Sequence, residues 1–180
     1  MGTVRHTIAD QYRDLPVEDL LRRQVVRFRE IEPDWDAFAD SRKEGGRRAQ
    51  YRMIGAGGSG KPDPKAIPAG GFTFSIMCVP PGQGGALHTH EVEEAFFCLK
   101  GRLTVFMERD GRQVATVLEP WDIVACPAGI PHGFRNDGTE DVYMQTMIGT
   151  GRPGPVGFVD DAIFQEEERR LASRRTPGAG

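Results

Sequence analysis

From residue 50 to residue 148 short apolar runs alternate with turns marked by glycine and proline, which leaves little room for long helices. The runs fall at residues 50–54, 72–79, 93–99, 102–108, 113–118, 122–126 and 142–148. Several are rich in β-branched and aromatic side chains, so each is predicted to be a strand. An Asp-Gly pair inside Glu108-Arg-Asp-Gly-Arg112 supplies the turn that a hairpin between two of them needs. The pattern predicts an all-β fold, a barrel or a sandwich.

The first fifty residues have a different character. Pro16-Val-Glu-Asp-Leu-Leu-Arg-Arg-Gln24 begins with proline, carries acids in its first turn and arginines in its last, and predicts a short helix. Residues 25–31 are a candidate edge strand, and the charged, glycine-bearing residues 40–48 are expected to be an exposed loop. Residues 166–175 predict a charged helix or a frayed tail, and residues 177–180 are expected to lack fixed structure. The expected organisation is an N-terminal extension over residues 1–49, a β-barrel over 50–160 and a charged C-terminal segment over 161–180. No internal repeat of 20 to 50 residues interrupts this plan.

Composition narrows the function classes. At 180 residues one domain is the expectation, with 38% hydrophobic residues for a core and 27% charged residues for a surface. A balance of 23 basic against 26 acidic side chains leaves a net charge of -3 and no footprint for a phosphate backbone, so nucleic acid is not an expected partner. No apolar run is long enough to cross a bilayer and the opening residues form no signal-peptide core, so a cytoplasmic protein without membrane contact is expected. The odd count of three cysteines, Cys78, Cys98 and Cys126, each in an apolar stretch, argues for reduced buried thiols and no disulfide framework.

Gly55-Ala-Gly-Gly-Ser-Gly-Lys61 fits the opening of a phosphate loop, but Pro62 stands where the magnesium-binding hydroxyl and an amide donor are required. Residues 55–71 are therefore expected to be a flexible surface loop that could act as a lid.

The chemistry concentrates elsewhere. In Leu87-His-Thr-His-Glu91 the two imidazoles stand at i and i+2, so on a strand His88 and His90 project to one face and can share an ion. Glu94 follows four positions later, and His132 must arrive from a distant strand. Three neutral imidazoles and one carboxylate suit Fe(II), Mn(II), Ni(II) or Zn(II) without choosing among them.

These residues carry a resemblance. Gly82-x5-His88-x-His90-x3-Glu94-x6-Gly101 matches the first cupin motif at every fixed position, and Pro127-x-Gly129-x2-His132-x3-Asn136 matches the second except that Trp121 replaces its leading glycine. The resemblance covers about residues 72–148 and implies an antiparallel, jelly-roll-like cupin β-barrel in which His88, His90, Glu94 and His132 ligate a metal. For a chain with this complete ligand set it further implies an iron-dependent dioxygenase acting on a small oxygenated compound, aromatic compounds being among the candidates, with Glu94 also moving a proton. The alternatives are a non-oxidative lyase, decarboxylase or isomerase, or a ligand-binding cupin without catalysis. Small cupins also imply a homodimer.

Strand alternation from Glu94 turns Phe96 and Cys98 toward the same interior, and Phe134 lies two residues beyond His132. Arg52 and Gln145 are candidates for orienting a small-molecule substrate, together with Gln50, Gln83, Arg135 and Tyr143.

Overall fold

The structure, a computed structural model, describes residues 6–175; the tail at 177–180 lies outside the described residues. Ten strands are formed among them: β1 (Ala49–Ile54), β2 (Thr73–Val79), β3 (Gly84–Thr89), β4 (Glu94–Lys100), β5 (Leu103–Arg109), β6 (Arg112–Leu118), β7 (Ile123–Cys126), β8 (His132–Arg135), β9 (Val142–Ile148) and β10 (Gly157–Phe158). They make two five-stranded antiparallel sheets, ordered β1-β2-β9-β4-β7 and β10-β3-β8-β5-β6. The expected all-β fold is present as a jelly-roll sandwich.

Its core explains why the apolar runs became strands. Met77 and Val79 of β2, Phe96 and Cys98 of β4, and Val142 and Met144 of β9 meet Leu103 and Val105 of β5, Leu118 of β6 and Phe134 of β8. Each is the inward half of an alternating strand, and together they bury the apolar area that drives the two sheets together. Phe96, Leu103 and Met144 are fully enclosed.

Two strands have weak signatures in the sequence. β3 opens on Gly84-Gly85 and β8 holds Gly133, residues that depress strand propensity. Gly84 is required by close approach, since a Cβ there would stand 2.1 Å from the carbonyl oxygen of Phe134 on the paired strand. The fixed glycine at 101 has φ +81, a left-handed conformation that favours glycine. Trp121, where the second motif places its leading glycine, has the same positive φ of 81 and makes the turn with a side chain that reaches over Phe97. A non-glycine residue there carries backbone strain.

The ends of the chain depart from expectation in instructive ways. The predicted short helix is α1 (Val17–Arg23), started after Pro16. The candidate edge strand at 25–31 instead holds a 3-10 turn at Phe28–Glu30, with no strand pairing among the described residues. Residues 40–48 are not simply an exposed loop: Asp40, Ser41 and Arg48 are buried, and Asp40 accepts the backbone N–H of Ala86 at 2.9 Å. The charged C-terminal segment is α2 (Asp161–Arg175). Ile163 of this helix packs with Ala39, Val156 and Phe158, and Arg170 donates to the Asp36 carbonyl at 2.6 Å. The helix thereby fastens residues 36–39, among them Phe38.

Candidate metal centre

Glu94, the first residue of β4, sits where four chain segments converge. His88 lies on β3 and pairs in register with His132, the first residue of β8, while His90 follows the end of β3. The backbone N–H of Gly129 donates to the His90 carbonyl at 2.9 Å and ties the segment before β8 to that residue. From these positions three Nε2 atoms face one carboxylate oxygen: Glu94 Oε2 lies 3.0 Å from His132, 3.4 Å from His88 and 3.5 Å from His90. All four side chains are buried.

The outer nitrogens define the tautomers. Nδ1 of His88 lies 2.8 Å from the Ala86 carbonyl and Nδ1 of His132 lies 2.7 Å from the Ile130 carbonyl. A carbonyl only accepts, so both Nδ1 atoms carry a proton and donate, which leaves Nε2 as the nitrogen that would ligate an ion at the shared centre. Burial pushes the His90 imidazole down to about 4, outweighing the attraction of Glu94, so it is neutral at pH 7. Burial works to raise the Glu94 carboxyl as well, but hydrogen bonds from His132 and His88 and the field of the imidazoles outweigh it and hold the group well below the usual carboxylate range. Imidazole nitrogens around one carboxylate form a complementary donor set for a divalent transition metal. Ligating atoms of His88, His90 and Glu94 all lie within 4.8 Å of one another.

A cavity opens beside these donors and encloses about 360 Å³, counting its mouth. His88, His90, Glu94, Thr146 and Arg48 supply its polar lining, and Phe38, Met77, Phe134, Val156 and Phe158 its apolar walls. Gly58 completes one side, where a Cβ would come within 3.7 Å of His90 and 3.2 Å of Ile148.

The other residues singled out from the sequence fall at varied distances from this cavity. Phe134 lines it. Phe96 stands behind it in the core, edge-on to His132 at 5.8 Å and to Phe134 at 5.2 Å. Cys98 is deeper, with its thiol toward the Gly101 carbonyl, and does not line the cavity. Gln145 is a correction: buried Met144, Thr146 and Ile148 show that the even positions of β9 face inward, so Gln145 belongs to the outer face. Arg52 also does not line the cavity. It is buried in a network in which its Nη2 donates to Asp34 at 2.8 Å and to the Ser59 hydroxyl at 3.0 Å, while that hydroxyl donates to Gln50 at 2.7 Å.

This network corrects part of the reading of residues 55–71 as a flexible surface loop, because it draws Gly57, Gly58 and Ser59 into the interior, while none of residues 60–71 is buried. Burial raises the Asp34 carboxyl, but hydrogen bonds from Lys61 and Arg52 prevail and bring it to about 2. Arg48, Phe38, Thr146, Val156 and Phe158 are cavity residues that sequence reasoning missed. Only Thr146 had a usable signal, through its alternation with Met144 and Ile148.

Comparison with known proteins agrees with this architecture. Residues 75–148 match the cupin domain family. Over 79 residues, 43% of this chain, the sequence is 34% identical to an acireductone dioxygenase from Parvibaculum lavamentivorans, and the match spans 42% of that relative's length. The fold is similar to that of the polyketide cyclase RemF from Streptomyces resistomycificus, with a TM-score of 0.58 and 18% identity, covering 78% of this chain and 89% of that one. An oxalate oxidase aligns with a TM-score of 0.57 and 18% identity over 88% of this chain and 72% of its own. Both structural likenesses speak to fold. No described helix is long and apolar enough to cross a membrane. With the two motifs, the sheet order and the family match in agreement, residues 75–148 of this chain form a cupin domain.

Proposed function

We propose that this chain is a metal-dependent dioxygenase that holds one ion, Fe(II) in preference to Mn(II), Ni(II) or Zn(II), through His88, His90, Glu94 and His132, and acts on a small oxygenated compound. The observation that carries the proposal is the convergence of three imidazole Nε2 atoms on one buried carboxylate oxygen at 3.0–3.5 Å. The local similarity to an acireductone dioxygenase supports the oxygen-dependent form of the reading. When bound, the ion supplies Lewis-acid polarisation of substrate oxygens and electron transfer to dioxygen.

The protein's own groups do the rest. The Ala86 and Ile130 carbonyls orient His88 and His132 by holding their Nδ1 protons. Glu94 contributes one negative charge, so a divalent ion held by this set would keep a net positive charge toward a substrate oxygen. Phe38, Phe134 and Phe158 exclude water from the reacting end of the cavity and accommodate an apolar body.

The experiment is elemental analysis of protein purified without added metal, followed by oxygen consumption by the iron-loaded protein across catechols, hydroxy acids and diketones. Stoichiometric iron and substrate-dependent oxygen uptake are expected. Iron without oxygen uptake across that panel overturns the dioxygenase reading, and anaerobic turnover of a panel member assigns the chain to non-oxidative lyase, decarboxylase or isomerase chemistry instead.

A further inference from the structure

Arg48 lies just before β1 in a stretch whose charge and glycines suggest an exposed loop, yet it is 3% exposed and lines the same cavity as His88, His90 and Glu94. A buried guanidinium is costly unless its donors are matched. Nη1 is well supplied: it donates to the carbonyls of Gly46 at 2.9 Å and Gly84 at 3.0 Å and stands 2.9 Å from Asp40 Oδ1. The other edge is unpaired. Nε is buried with no hydrogen-bond partner, and among the described residues no acceptor is placed against Nη2.

The guanidinium plane is nonetheless held firmly. It lies 4.3 Å from the ring centroid of Phe38 and 5.7 Å from that of Phe134, both of which line the cavity. An arginine fixed in position, with its side-on Nε and Nη2 edge unpaired, is a preorganised fork for a planar two-oxygen anion.

We propose that Arg48 is a specificity-determining residue that binds the carboxylate of the cavity's ligand, and that this ligand is a small monocarboxylate with an apolar body. The proposal deepens the metal-dependent reading and rests on it for the reacting end of the cavity. Charge supports a single negative group: Arg48 and Asp40 offset one another, and a divalent ion beside Glu94 would leave one positive charge to be neutralised. The walls of Phe38, Phe134, Val156 and Phe158 match the apolar body.

The test uses benzoate and its neutral isostere benzamide as probes, titrated calorimetrically into the zinc-loaded protein, which is redox-silent. Benzoate is expected to bind at least tenfold more tightly than benzamide. Arg48→Gln should weaken benzoate tenfold to a hundredfold, leave benzamide within twofold and leave zinc stoichiometry unchanged. Arg48→Lys, which keeps the charge and loses the fork, should fall between. Because Arg48→Gln strands the buried Asp40, the double variant D40N/R48Q serves as a second form without a lone charge. Equal affinity for the two probes, or benzoate affinity unchanged in any of these variants, overturns the proposal. If the protein takes up no zinc but the metal-free form still prefers benzoate through Arg48, the metal reading fails and the Arg48 assignment stands.

Discussion

Replacing Phe96 with alanine separates two roles that the geometry gives to one ring. Phe96 is completely buried in the cluster joining both sheets and touches His132 and Phe134 edge-on, at centroid distances of 5.8 and 5.2 Å. Truncating a fully buried phenylalanine costs about 3–5 kcal/mol, because the transferred area is lost and the surrounding side chains close the cavity only in part. For a chain of this size each kcal/mol corresponds to about 2–4 °C in melting temperature, so a fall of roughly 6–20 °C is expected. The ring also backs the His132 imidazole, whose Nε2 stands 3.0 Å from Glu94. Loss of such support should weaken metal binding by about 10–100-fold, as for other groups that orient a ligand. Phe96→Leu, which keeps most of the volume, should lose about 1–2 kcal/mol and show a smaller loss of affinity. Circular dichroism melts of the metal-free proteins and zinc titration of each variant read the two effects separately. A melting temperature for Phe96→Ala within 3 °C of wild type would refute the packing argument. A large drop with unchanged zinc affinity would refute the support of His132.

Three further outcomes follow from single groups. The folded-state pKa of Asp34, about 2, lies below its ordinary value of 3.8, so its ion pairs contribute stability that is fully present above about pH 4 and is lost as pH falls toward 2. Urea unfolding of metal-free wild type and Asp34→Asn should therefore show a stability gap that narrows by at most about 2 kcal/mol across that window, and a gap independent of pH would contradict it. Gly84→Ala places a Cβ 2.1 Å from a backbone oxygen of the paired strand and should cost about 1–3 kcal/mol, whereas Gly70→Ala, with nothing within 4 Å, should stay within about 0.5 kcal/mol of wild type. Burial raises the thiols of Cys78 and Cys98 and pushes that of Cys126 up to about 12, so native protein at pH 8 should resist iodoacetamide and expose all three thiols only after denaturation.

The donor set was legible because its information is local: His88, His90 and Glu94 fall within seven residues, and the second motif adds His132 with its own fixed neighbours. Strands such as β5 and β9 were legible for the same reason, through alternating β-branched and aromatic residues. What stayed hidden depends on contacts between distant segments. β3 and β8 contain glycines because their backbones approach closely, and those glycines erase the strand signature. Arg48 is surrounded by charge and glycine in sequence, and only the arrival of Phe38, Asp40, Gly84 and Phe134 makes it a buried residue. Gln145 and Arg52 show the limit of alternation, which pairs residues on one face without saying which face looks inward or how far along the sandwich each stands.

The most direct test of the central claim is metal stoichiometry after equilibrium dialysis against Zn(II), measured by plasma mass spectrometry on wild type and on H88Q, H90Q, E94Q and H132Q. One tightly held ion per chain in wild type, with affinity reduced at least tenfold in every variant that retains the native circular dichroism spectrum, is the expected result. Folded wild-type protein that retains no ion, or H132Q that binds as tightly as wild type, would contradict the assignment of these four side chains to a single metal.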